Sequence, residues 1–174
     1  MKIRAALVAI VLGMSACQNM PEPYAPPVQR QPLEDLRPRF VPVIDMAAAD
    51  ARKHFVQDIS DKLEGSWRWC QQRPAVTVTV PSNEKLKYTI DFTVPEATFK
   101  DTGPVTLSFY VNDHLLDRVR YSKPGPLHFE KQVPAGWITP AKDNILAAEI
   151  DKMWVSKEDG SRLGFILTRI GLTQ

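Results

Sequence analysis

Residues 105–121 read VTLSFYVNDHLLDRVRY. Val105, Leu107, Phe109 and Val111 alternate with Thr106, Ser108 and Tyr110, the period-two pattern of a strand with one buried face. Asn112 and Asp113 both tolerate positive φ, so the chain can reverse there. The return strand sets the parity of that loop. An odd loop of three or five residues puts Leu115, Val119 and Tyr121 on the buried face, with Asp117 as the misfit. An even loop buries Arg118 and Arg120 instead, at roughly several kcal/mol per unpaired charge. The sequence therefore predicts an odd loop, and a hairpin at the middle of an all-β domain.

Outward from the hairpin the alternation repeats. Strand-like sequence begins at Trp67-Arg68-Trp69-Cys70 and returns at residues 75–80, 86–94, 127–133, 145–150 and 163–172. Proline or glycine marks nearly every joint between them. About seven or eight short antiparallel strands so punctuated predict a β-sandwich with jelly-roll-like crossings. By parity Trp67 and Trp69 share one side of their strand, and one or both are expected in the core. Ahead of the strands, residues 45–59 (DMAAADARKHFVQDI) combine a capping Asp45 with helix-favouring alanines and a rough apolar stripe. One short helix is expected there.

The chain has 174 residues and a formal net charge of +2. Lys2 and Arg4 account for that excess, so the rest is near neutral and gives no electrostatic reason to expect nucleic acid. The opening MKIRAALVAIVLGMSAC has a basic start, a short apolar run and small residues before Cys17, the layout of a secretory signal. That run is too short to remain as a membrane-spanning helix. Met14-Ser15-Ala16-Cys17 resembles the bacterial lipobox. The resemblance implies a signal peptide over residues 1–16 and a Cys17 that is lipidated with palmitate-type chains. Gln18 in place of aspartate implies the outer membrane. Acyl chains at about 0.8 kcal/mol per buried methylene make a firm anchor. Residues 17–44 hold Pro21, Pro23, Pro26, Pro27, Pro32, Pro38 and Pro42, which predicts an extended, disordered tether with polyproline II character. The folded part is then residues 45–174. Cys70 has no cysteine partner once Cys17 is acylated, and is expected as a small buried side chain, with a reactive thiol as the alternative.

Four markers carry a family resemblance: Glu64-Gly65-Ser66-Trp67-Arg68-Trp69, Gly103-Pro104-Val105-Thr106 running to Val111-Asn112, Phe129-Glu130-Lys131-Gln132-Val133-Pro134, and Gly160-Ser161-Arg162-Leu163-Gly164-Phe165. Together they resemble a β-sandwich module found within or beside bacterial glycosyltransferases and other surface-polysaccharide proteins. The resemblance covers residues 55–174 and implies a jelly-roll-like accessory domain in a glycan context, without catalysis of its own. The chain departs from that setting because no transferase domain is attached, and because Asp113 stands where a glycine commonly follows the asparagine.

Enzymatic constellations are mostly absent: no H-E-x-x-H, G-x-S-x-G, phosphate-binding glycine loop or C-x-x-C. Ser82-Asn83-Glu84-Lys85 matches S-x-x-K but lies between strands, where no helix brings lysine to serine. His54, His114 and His128 are widely spread, so no metal site and no cofactor are expected. Asp151, Glu158 and Asp159 cluster near Trp154 in a loop over residues 151–162. They are read as solvated loop charges, with glycan contact or a calcium site as alternatives. Tryptophans are the best argument for binding, because sugar rings stack their C–H faces on flat aromatic surfaces while polar neighbours bond the hydroxyls. Trp137 and Trp154, with Asp151 and Arg162, are the candidate ligand contacts, and Trp137 can equally plug one end of the sandwich. The expected product is a lipid-anchored, non-catalytic binding module of the cell envelope that contacts glycan. The alternative is a scaffold lipoprotein that docks an envelope protein through a sheet face or edge.

Overall fold

The computed structural model describes residues 39–174. The expected signal peptide, Cys17 and most of the proline-rich tether lie outside the described residues. The described chain runs β1 (Val43–Asp45), β2 (Phe55–Ile59), β3 (Arg68–Val78), β4 (Lys87–Val94), α1 (Glu96–Thr102), β5 (Val105–Val111), β6 (His114–Tyr121), β7 (Gly125–Gln132), β8 (Asn144–Ile150), β9 (Trp154–Val155), β10 (Arg162–Leu163) and β11 (Ile166–Thr173). This is the expected antiparallel β-sandwich.

One sheet is ordered β6-β5-β8-β3-β2 and the other β7-β4-β11-β1. β3 belongs to both. Its Ala75–Val78 half pairs with β8, while Arg68 and Trp69 pair with Leu167 and Ile166 of β11. Pro74 falls between these two ladders, where its missing N–H leaves no rung broken. Arg73 beside it is held by β2 side chains instead. Its N–H donates to Asp58 Oδ2 at 2.8 Å, and its carbonyl accepts from Gln57 Nε2 at 3.0 Å.

Aromatic side chains fill the space between the sheets. Tyr88, Phe92, Phe109 and Phe165 are fully buried, and Phe109 stacks on Phe129 with ring centres 3.8 Å apart. The Tyr88 hydroxyl donates to the Ala147 carbonyl at 3.1 Å, so its burial leaves no polar group unpaired. Cys70 is buried as expected, and desolvation drives its thiol pKa up, which keeps it unreactive.

The hairpin corrects the expected odd loop. Asn112 and Asp113 alone form it, with φ of 46° and 64°, and Val111 stands opposite His114. Such a turn matches the twist of its flanking strands. Parity is restored within β6: Tyr110 pairs with Leu115 and Phe109 with Asp117, leaving Leu116 as a one-residue bulge. Val119 and Tyr121 therefore reach the core side, joined by Leu116. Leu115, expected inside, is 47% exposed. The misfit Asp117 is met by Lys131 Nζ at 2.7 Å, a hydrogen bond that holds its carboxyl below the usual aspartate range.

The helix expected over residues 45–59 shrinks to a four-residue 3₁₀ turn, Ala51–His54. Core packing overrides the propensity of the alanines. Ile44, Met46 and Ala51 are buried, the Met46 N–H donates to the Thr168 carbonyl, and the segment's end extends to pair with β3. The α-helix α1 lies elsewhere, between Pro95 and a left-handed Gly103 (φ 67°).

The core placement of Trp67 and Trp69 is also corrected. Both are half-buried, packed edge to face with centres 5.9 Å apart, while Arg68 (4% exposed) and Cys70 turn inward. A buried guanidinium is tolerated because backbone carbonyls surround it. Arg68 donates to the carbonyls of Met46, Ser60 and Asp61, and lies over the Phe55 ring.

Candidate functional site

Once Arg68 and Cys70 point in, strand alternation aims Trp69, Gln71 and Arg73 out. At the corner where β3 changes sheets, Trp69 and Gln71 meet Asp58 of β2, Lys62 and Glu64 of the following loop, and Arg162 of β10. These residues line a cavity of about 460 Å³. That is within the roughly 300–1,000 Å³ of small-ligand pockets. Glycine makes this corner possible. The Gly164 N–H donates to the Cys70 carbonyl at 2.8 Å, and a Cβ at position 164 would overlap the Gln71 carbonyl.

The polar groups of the cavity differ in what they leave free. Lys62 and Glu64 pair at 2.9 Å, and one oxygen of Asp58 takes the Arg73 N–H. Arg162 is exposed, lines the cavity and makes no ion pair among the described residues. Ser60 and Ser161 add hydroxyls. The site thus offers an aromatic wall, donors and acceptors of both signs, and balanced charge. No carboxylate among the described residues is buried. No three His, Cys, Asp or Glu residues converge as a metal site among the described residues.

The four residues singled out from sequence do not form one site: Arg162 and Trp154 share the short β9–β10 hairpin, and Trp137 and Asp151 lie near opposite ends of β8. Arg162 lines the cavity. Trp154, opposite Leu163 on the short β9–β10 hairpin, donates its indole N–H to Asp101 at 2.7 Å and so is pinned to the end of α1. Asp151 follows β8 and takes the Thr106 N–H at 2.7 Å. Trp137 packs on the core near the start of β8, stacked against His114 with centres 4.9 Å apart. The Asn112 amide donates to its carbonyl and to Asn144 Oδ1, tying this end of the sandwich to the hairpin turn. The seven residues of β8 separate Trp137 from Asp151 by about 20 Å. In the acidic loop, the hydroxyl of Ser156 and the N–H of Ser161 hold the Asp159 pKa down to about 2. They fold that carboxylate into the turn.

Trp69 was missed as a site residue, though a signal was present. Val76 and Val78 point inward and Thr77 outward. Extending that parity back along β3 puts Trp69 outside with Gln71 and Arg73.

A second depression lies on the outer face of the five-stranded sheet. Arg73 lays its guanidinium over the Tyr110 ring at 4.6 Å and reaches Asp113 at 3.0 Å and Glu149 at 4.0 Å. Beyond Tyr110 the face carries Thr106 and Ser108, with Arg118 on one bank and Glu149 on the other. Arg118 Nε donates to the Ser108 hydroxyl at 3.1 Å.

No family model matches the chain, and no curated protein matches it. Among solved structures it is similar to a family 35 carbohydrate-binding module from Clostridium thermocellum, with 9% identity over 76% of this chain and 96% of that one and a TM-score of 0.44. A family 35 module from an environmental isolate gives 11% identity, coverage of 76% and 92%, and a TM-score of 0.45. The module CBM6cm-2 of Cellvibrio mixtus lichenase 5A, solved with cellotriose, gives 11% identity, coverage of 78% and 98%, and a TM-score of 0.38. The likeness is confined to overall β-sandwich shape.

Proposed function

We propose that this chain is a non-catalytic glycan-binding module of the bacterial envelope, held at the outer membrane by lipid on Cys17, and that the cavity at the β3 corner holds the sugar. One observation carries the reading: Trp69, outward and half-buried, forms a wall of a cavity of about 460 Å³ whose other lining groups are hydroxyl, amide, carboxylate and guanidinium. A sugar ring uses both kinds of surface, its C–H face on the indole and its hydroxyls on the polar rim. The roles follow. Trp69 stacks, Arg162 and Gln71 donate, and Asp58 and Ser161 accept.

The test is a glycan array and polysaccharide pull-down with the purified protein, carrying Cys17→Ser to keep it free of lipid. Wild-type side chains elsewhere are compared with Trp69→Ala and Arg162→Ala. Retention that vanishes in Trp69→Ala while the melting curve is kept supports the reading. Absence of retention on every glycan sinks it, and crosslinking in intact envelopes for a protein partner is then the next experiment.

A further inference from the structure

The odd-numbered residues of β3 do not stop at the cavity. Trp69 and Gln71 line it, and Arg73 and Ala75 continue the same outward stripe into the depression on the sheet face. β2 runs alongside in the same way, with Asp58 in the cavity and its neighbour Gln57 in the depression. At Ala75 the track turns across the sheet, because Ala75, Ala147 and Tyr110 are direct neighbours on adjoining strands. Two alanines side by side leave a trough, of about 200 Å³. Tyr110 also borders the next hollow, of about 340 Å³, floored by Thr106 and Ser108. The path covers about 20 Å along β3 and about 10 Å across two strand spacings.

We infer that cavity and sheet face form one continuous track for an extended, uncharged polysaccharide chain, several sugar residues long. This rests on the cavity being a sugar site. The occupant's neutrality is argued from charge. In the cavity Lys62 and Arg162 face Asp58 and Glu64, and on the sheet face Arg118 faces Glu149 across the hydroxyls of β5, with Asp151 at the far end. The path carries no excess of positive charge to attract a polyanion, yet it supplies donors and acceptors along its whole length. Arg73 sits at the joint. Its main chain is fixed by Asp58 and Gln57, and its guanidinium covers the Tyr110 ring, offering a flat stacking surface where the path turns.

The experiment uses the lipid-free full chain and the array polysaccharides it retains, cut by partial acid hydrolysis into ladders from monosaccharide to octasaccharide. Affinity is measured for each rung by titration calorimetry. Affinity is expected to keep rising beyond the disaccharide. Tyr110→Ala should lose about tenfold for the long rungs and nothing for the monosaccharide. Arg118→Ala should give the same pattern without altering the Arg73 stack. Trp69→Ala should weaken every rung. A profile flat beyond the disaccharide, with short sugars bound and Trp69→Ala still damaging, overturns the track and leaves the cavity as a sugar site. Retention confined to acidic polysaccharides, falling steeply with salt, overturns the neutral occupant. If no rung of any ladder binds, the sugar site itself fails and the track with it.

Discussion

Leu107 lies directly opposite Val119, although only Asn112 and Asp113 turn the chain between their strands. Two-residue parity alone would place Leu107 opposite Arg118 and bring that arginine to the core face. Leu116, the extra residue of β6, makes up the difference and lets Val119 and Tyr121 meet the core. The hydrophobic pattern dictated which side chains go inside, and the backbone found a bulge rather than a longer loop.

Deleting Leu116 should therefore close the bulge without moving the register, because Phe109–Asp117, Ser108–Arg118 and Leu107–Val119 then follow Tyr110–Leu115 directly. Val119 and Tyr121 would still meet the core. The expected loss is no more than about 3 kcal/mol, that of the half-buried Leu116 side chain, and close to that of Leu116→Ala. Urea unfolding of the two variants reads it. A deletion midpoint far below that of Leu116→Ala would mean that the later pairs of β6 do not keep their register.

Arg68 gives a second expectation. Its guanidinium is buried and serves three carbonyls, so Arg68→Ala leaves acceptors unpaired and opens a void. A loss of about 3–5 kcal/mol is expected. Arg68→Lys, with a compact ammonium in place of the planar fork, should recover only part of it. A lysine variant as stable as wild type would show that the fork geometry is dispensable.

How much of this was legible follows from the same residues. The strand runs and their joints were readable because a half-buried sheet imposes period two on the sequence. The loop parity was not, because a bulge changes the count without changing the pattern. The segment after Asp45 carries helix-forming alanines, but Ile44, Met46 and Ala51 are fixed by the core, and no local signal records that. Trp69 looked like core because tryptophan beside arginine normally wins the inside. Here carbonyls of the 60–61 turn, distant from any local pattern, make the arginine the buried partner. The cavity depends on that exchange, so a site that strand parity could locate was hidden by a side-chain preference.

A third expectation concerns acid. Partial desolvation pulls the Asp91 carboxyl upward, but the hydrogen bonds from His128 (2.6 Å) and Arg169 (2.9 Å) and their charges outweigh it, and the net shift is downward. A carboxyl with a lowered folded pKa contributes stability above its unfolded value, about 3.9, and loses it as pH falls through the folded value. Wild type should exceed Asp91→Asn in melting temperature near pH 6, and the gap should close below about pH 4. The cluster is partly exposed, so the gap corresponds to no more than about 1 kcal/mol. Melting curves of both proteins from pH 6 to pH 2.5 check it. A gap that stays constant would mean the contribution is packing rather than charge.

The tryptophans separate binding from folding. Trp69 faces the cavity, so Trp69→Ala should abolish glycan retention while shifting the melting temperature by only a few degrees. Trp137 is the reverse case: one face lies on the core and His114 stacks on its ring, leaving little surface for a sugar. Trp137→Ala should cost about 2 kcal/mol or more in stability and leave retention intact. Trp154→Phe removes the hydrogen bond to Asp101 together with part of the ring, and should cost about 1–2 kcal/mol with retention unchanged. Differential scanning fluorimetry and the pull-down, run on the same three preparations, give both readouts. If retention followed Trp137 and ignored Trp69, the sugar site would move to the hairpin end of the sandwich. There the Asn112 and Asn144 amides lie beside Trp137 and His114 and would supply its hydrogen bonds.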